Sequence, residues 1–402
     1  MQQDRDTRLD LTTRPVFPVA MTLHFPPEEF AARQAMARAA LQSAGLGALL
    51  MFAPESHYWI SGYDTFGFAM FQCMVLTARG DLHLLTRMPD LRQARHTSTL
   101  TDSDIHIWQD AEGADPARDL ARLLADLGVS GPIGYESDTV GLTDRAGRRL
   151  HSALPGLIDA SDLIRALRRV KSPAEIAMHR RAATLSDDAL DQALALARPG
   201  AYEGDILAAM QGAVFAGGGD YAGNEFIIGS GAGALLCRYF SGRRHLDPTD
   251  QLTLEWSGAF ARYHAAMMRT ILVGRASDHH RRLHAAAHEA LEACEAALRP
   301  GRPMGDVYDA HARVFDAHGL SHARLRACGY GMGAVFNPIW VDFPMFHQGN
   351  PLLMQQGQVF FLHMILMDSD TGAAMTLGHS VLVGPGGVER LSRHGLGLLV
   401  RE

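Results

Sequence analysis

Hydrophobic positions in this chain switch between a period of two and a period near 3.6, which predicts strands and helices in alternation. Residues 1–22 are a polar lead-in. Pro26–Ala44 places Phe30, Met36, Ala40 and Leu41 at helical spacing and stops at Gly45, and Ala48–Phe52 is a short apolar strand closed by Pro54. The aromatic-rich run ESHYWISGYDTFGF, with Gly62 and Gly67, is expected to be a loop with something to contact. Met74–Thr77 and Leu82–Thr86 flank an Arg79–Gly80 turn and predict a hairpin. A strand at Ile105–Trp108, a helix at Pro116–Leu127 and a strand at Gly131–Glu136 complete an α/β alternation. This half ends near Leu163–Arg169, and the domain boundary is placed at residue 168.

Lys171–Glu175 opens the second half with three agreeing helix-start signals. Ser172 serves as N-cap, Pro173 fits the first helical position, and Glu175 completes a capping box. That helix runs to about Ala197 and is stopped by Arg198–Pro199–Gly200. A helix–RPG–helix unit at 194–219 is echoed at 295–320, with Arg198 and Gly204 matched by Arg299 and Gly305 at a constant offset of 101 residues. Two similar α+β halves about a pseudo-two-fold axis place a site where their sheets meet. Between them, Gln251–Trp256 and Met267–Val273 read as paired strands with Ser257–Gly258 as turn or bulge. Glu255 breaks the apolar pattern there. Burying a carboxylate costs several kcal/mol unless it is paired, so Glu255 is present for a partner or for chemistry; the plainer reading is a solvent-facing strand residue.

Composition narrows the function classes. The chain has 402 residues, too many for one typical core, with 47% hydrophobic and 20% charged residues. A net charge of −7 without basic clusters argues against nucleic acid, and no apolar run is long enough for a membrane helix. The N-terminus has no signal-peptide core, and Cys73, Cys237, Cys294 and Cys328 lack CxxC spacing, so reduced thiols in the cytoplasm are expected.

RRVKSPAEI (168–176), IIGSGAGALLCRYF (227–240), the run 252–274, CGYGMG (328–333), QGQVFFLH (356–363) and SVLVGPGGVERLS (380–392) together resemble the pita-bread superfamily. PESHYWISGYD (54–64) extends the resemblance to the N-terminal half. The superfamily includes Xaa-Pro aminopeptidases and prolidases, with creatinases and ectoine hydrolases as metal-free relatives. The resemblance implies a creatinase-like α/β domain over 1–168, a pita-bread α+β catalytic domain over 169–402, and a homodimer. Peptidases of the family hold two metal ions with two Asp, one His and two Glu. Those positions fall here on Glu255, Ala266, Tyr330, His363 and Gly378 or its neighbour His379. A two-metal cage therefore cannot form, and no cofactor is expected; Glu255, His363 and His379 are the one set left for a single zinc-type ion. The Tyr263–His264 pair is similar to that of ectoine hydrolases. The creatinase acid/base histidine falls on Arg238, which stays protonated and cannot shuttle a proton.

Hydrolysis without a metal needs a protein base or nucleophile. Glu255 takes that role, with His264 and His363 as proton carriers and Tyr330 as hydrogen-bond donor. Arg238 is placed as a carboxylate clamp and Arg269 in a structural ion pair. Trp256, Tyr263, Trp340 and His379 are placed around a small cationic substrate, with core packing as the plainer reading of Trp256 and of Phe336. By resemblance alone, His57, Tyr58, Trp59 and Phe66 reach across the dimer. His279, His280, His284, His288, His311, His318 and His322 read as surface residues. The expected activity is hydrolysis of a C–N bond in a small amidine, guanidino compound or cyclic amide. A single-metal Xaa-Pro dipeptidase and a non-catalytic small-molecule binder are the alternatives, and a lyase is not separable by sequence.

Overall fold

The computed structural model describes residues 23–236 and 242–402, so the lead-in over 1–22 and Arg238 lie outside the described residues. In the N-terminal part, α1 (Pro27–Ser43) leads into strands β1 (Ala48–Met51), β2 (Cys73–Thr77), β3 (Leu82–Arg87), β4 (Ile105–Trp108), β5 (Ile133–Tyr135) and β6 (Ile158–Asp159). They form one sheet in the order β4-β3-β2-β1-β5-β6, in which β1, β5 and β6 run parallel. Helices α2 (Pro54–Ser61), α3 (Leu91–Thr97), α4 (Pro116–Asp126) and α5 (Asp144–Ala153) connect successive strands, and α6 (Asp162–Leu167) follows β6. The expected hairpin is β2–β3.

The stretch expected to be a loop after Pro54 is instead a helix over its first seven residues. Pro54 occupies the first helical position, Gly62 ends the helix at φ 84, and buried Glu136 accepts from the Phe52 and Ala53 amides and the Ser56 hydroxyl. That carboxylate satisfies backbone donors the local sequence leaves open.

The C-terminal part begins with α7 (Pro173–Leu196), whose capping box forms as expected: Glu175 N–H donates to Ser172 Oγ, and Ser172 N–H to Glu175 Oε2. α8 (Glu203–Ala216) follows the first RPG break, and α9 (Asp278–Ala297) and α10 (Gly305–Ala317) flank the second. Gly200 and Gly301 take φ 79 and 81, so both breaks use the same left-handed exit. The strands are β7 (Ile227–Ser230), β8 (Asp250–Phe260), β9 (Tyr263–Val273), β10 (Ala327–Gly331), β11 (Asp342–His347), β12 (Val359–Asp368), β13 (Ala373–Val383), β14 (Val388–Arg390) and β15 (Leu399–Arg401). The main order β11-β10-β12-β13-β9-β8-β7 sets the hairpins β8–β9 and β12–β13 side by side about the β9–β13 contact, the pseudo-two-fold the repeat implies. No helix among the described residues is long and apolar enough to cross a membrane.

Ser257–Gly258 is not the turn. Both strands run on to Phe260 and Tyr263, and the tip is Ala261–Arg262 at φ 50 and 64. These are the only non-glycine residues at positive φ among the described residues, a conformation held only where surroundings over-determine it. Gly258 has a packing role instead: a Cβ there would stand 2.1 Å from the Ala182 carbonyl of α7. Gly258→Ala is expected to destabilise the protein by about 3 kcal/mol through overpacking. A urea midpoint equal to that of the parent would show that α7 gives way without cost.

Candidate functional site

The strand register sets a row of residues across the sheet. Ile227 pairs with Glu255, Glu255 with Met268, Met268 with Gly378, and Gly378 with His363. Directly opposed residues share a face, so Glu255 and His363 look out from the same side, with Met268 and Gly378 between them. Three strand spacings separate them, about 14 Å along a flat sheet. Beside His363, the Tyr330 and Phe361 rings lie 5.6 and 5.4 Å from the imidazole. Trp340 Nε1 donates to the Tyr330 hydroxyl at 2.8 Å and fixes its direction. One step along the same face, Thr253, Thr270 and Thr376 form a buried hydroxyl ladder, with Oγ1 separations of 3.5 and 3.1 Å. Alternation in strands rich in Leu and Met conceals this polar stripe until the register joins its three members.

His264 is on that face too, near the hairpin tip, but both ring nitrogens are engaged with backbone. Gly223 N–H donates to Nε2 at 2.8 Å, so Nδ1 carries the hydrogen and donates to the Arg262 carbonyl at 2.8 Å. Burial pushes its pKa down to about 4. Through the Gly223 amide, His264 is tied to the loop whose Asn224 side-chain carbonyl accepts from the Trp340 amide. The N-terminal domain grips the same tip. Tyr58 donates to the Ala261 carbonyl at 2.8 Å, and Arg262 pairs with Asp64 at 2.8 Å while stacking on Phe336.

Several expected site residues occupy other places. Trp256 packs behind the sheet and donates to Ser186 O of α7 at 2.9 Å, and Tyr263 donates to Glu175 at 2.7 Å. His379 is one residue from the row and therefore faces backwards, 2.7 Å from Glu295 of α9. None of these three is on the face that carries Glu255 and His363. His57, Tyr58 and Trp59 are buried within their own chain, so they do not reach a partner, whereas Phe66 is 81% exposed. Arg269 hydrogen-bonds the Met268 and Gly378 carbonyls instead of an acid. His311, expected at the surface, is buried against Phe315.

The donor set does not fit the metal ions of the peptidase relatives. Ala266 and Gly378 offer no ligand atom, the Tyr330 oxygen is bonded by Trp340, and His379 lies on the wrong face. Glu255, His363 and His379 form no cluster within reach of one ion among the described residues, which removes the single-zinc set. A cavity of about 400 Å³ missed by sequence reasoning opens between the two domains, at the carboxyl ends of β1, β5 and β6. Glu55, Arg168 and Asp342 line it; Arg168 donates to Asp342 at 3.2 Å, and Glu55 accepts from the Phe336 amide. Residues so far apart in sequence give no local signal.

A model of metallopeptidase family M24 matches residues 177–385, and one of the creatinase/prolidase N-terminal domain matches 33–170. An uncharacterized hydrolase/peptidase of Sinorhizobium fredii is 27% identical over 393 residues, 94% of this chain and 99% of its own length. The ectoine hydrolase of Halomonas elongata is 26% identical over 394 residues, 93% and 98%. Among solved structures, dipeptidase PepE from Mycobacterium ulcerans superposes with TM-score 0.82 at 24% identity, over 94% of this chain and 99% of its own. The Xaa-Pro dipeptidase from Bacillus anthracis gives 0.81 at 18% identity, over 92% and 99%. These structural likenesses establish the fold.

Proposed function

The chain belongs to metallopeptidase family M24, and from that premise we propose that it is a hydrolase working without the family's paired metal ions, on a C–N bond of a small amidine, guanidino compound or cyclic amide. The observation that carries the reading is the row Glu255–Met268–Gly378–His363 with Ala266 and Tyr330 beside it, which keeps one carboxylate and one imidazole where a cage would need five ligands. The similarity to an ectoine hydrolase over nearly the full length supports the substrate class.

In the proposed reaction, Glu255 takes a proton from water as the water oxygen bonds to the substrate carbon. The C–N bond then breaks, and His363 delivers a proton to the leaving nitrogen. Tyr330, oriented by Trp340, donates to the oxygen that gains charge. The carboxylate also attracts a cationic carbon centre, so binding and activation use the same group.

The test is a panel of ectoine, creatine, betaine-like compounds and proline dipeptides, followed by mass spectrometry on chelator-treated protein. Turnover of a non-peptide substrate that survives chelation is expected. Hydrolysis of a dipeptide that appears only on adding Mn²⁺ or Zn²⁺ would replace this reading with a peptidase.

A further inference from the structure

Away from the Glu255–His363 row, four side chains from three segments converge at the end of β12. Asp368 closes β12, Asp370 lies in the turn to β13, His279 is in the first turn of α9, and His322 lies between α10 and β10. Ligand atoms of His322, Asp368 and Asp370 all stand within 4.8 Å of one another. His322 Nε2 is 3.7 Å from Asp368 Oδ1, too long for a hydrogen bond. Two ligands on one tetrahedral ion, bonded at 2.0–2.1 Å, stand about 3.4 Å apart, so that gap is the size an ion leaves.

The site is also built from beneath. Asp368 is 3% exposed, and its Oδ1 accepts the backbone N–H of Asp370 at 3.1 Å and of Thr371 at 3.3 Å. His279 Nε2 reaches Oδ2 at 3.1 Å and Thr371 Oγ1 at 3.1 Å. Such outer contacts orient a ligating carboxylate. His322 and Asp370 are exposed, which gives an ion an entry path.

We propose that His322, Asp368 and Asp370 bind one divalent transition-metal ion, with His279 orienting Asp368 and water completing the shell. An imidazole beside two carboxylates suits Zn²⁺ better than Ca²⁺ or Mg²⁺, which take all-oxygen shells. The ion joins the α10–β10 segment to the β12–β13 turn and stiffens the second half-repeat, as Tyr58 and Asp64 hold the tip of the first.

The test titrates chelator-treated full-length protein with ZnCl₂ by calorimetry, alongside thermal melts. One zinc per chain is expected, with a raised Tm and no response to MgCl₂. His322→Ala and Asp370→Ala, both at exposed positions, are each expected to weaken binding more than tenfold while leaving the metal-free Tm unchanged. Glu255→Gln is expected to bind zinc like the parent, which separates this site from the Glu255–His363 row. The proposal is overturned by no zinc uptake, by uptake that His322→Ala and Asp370→Ala leave intact, or by uptake that Glu255→Gln removes.

Discussion

Glu255→Gln is expected to lower turnover of the identified substrate by a factor of about 10²–10⁴, the range that a positioned acid or base supplies. Glutamine keeps the shape and the place in β8 opposite Ile227 and Met268, so neither the strand register nor the packing around it changes. What is lost is the negative charge and the capacity to take a proton. Turnover that falls while the far-UV circular dichroism of the folded protein matches the parent's places the effect in the chemistry and not in the fold. Glu255→Asp separates the two uses of the group: it keeps the charge but withdraws it by one methylene, so binding should survive better than turnover. Equal turnover by parent and Glu255→Gln protein, on a substrate that both bind, would remove Glu255 from the chemistry.

Much of this arrangement was legible in the sequence because its signals are local. The capping box at Ser172–Glu175, the two RPG breaks and the β2–β3 hairpin each need only a few neighbouring residues. Glu255 stood out because a carboxylate among apolar strand residues needs a reason wherever it sits. The face of His379 was not legible: the fifth ligand position falls on Gly378 or its neighbour, and a one-residue difference in a strand reverses the side. Only the pairing of Gly378 with Met268 and His363 decides it. Gly258 misled for a related reason, since a glycine that admits a neighbouring helix carbonyl looks the same in sequence as one that makes a turn. Likewise, Tyr58 and Asp64 hold a turn some 200 residues away, a relation no local pattern encodes.

The same burial that locks His264 makes the fold acid-sensitive, and the expected result is a loss of stability as pH falls below about 6.5. Burial pushes the pKa of His57 and His264 down to about 4, and that of His179 and His311 to about 3. His57, His179 and His264 each donate their one ring hydrogen to a backbone carbonyl. A second proton has nowhere to go: among the described residues His57 Nδ1, His179 Nε2 and both His311 nitrogens have no partner, and His264 Nε2 faces an N–H. Between the folded values and the ordinary 6.5, the unfolded chain binds more protons than the native one, so stability is full above pH 6.5 and falls as pH drops. At pH 5 each histidine contributes a loss of about 2 kcal/mol, about 8 for the four. Glu136 acts in the opposite sense, because burial raises its pKa to about 7 and the native state gains protons first. Its gain at pH 5 is about 3 kcal/mol, and Glu55, whose carboxyl burial also raises, adds to it, so the two acids offset part of the histidine loss. His311→Leu isolates one contribution, since it removes a buried ring without deleting a hydrogen bond between described residues. Its stability by urea unfolding should match or exceed the parent's at pH 7, and the loss between pH 7 and pH 5 should shrink by about 2 kcal/mol. A parent protein equally stable at pH 7 and pH 5 would mean that these histidines gain solvent or a partner before the fold opens.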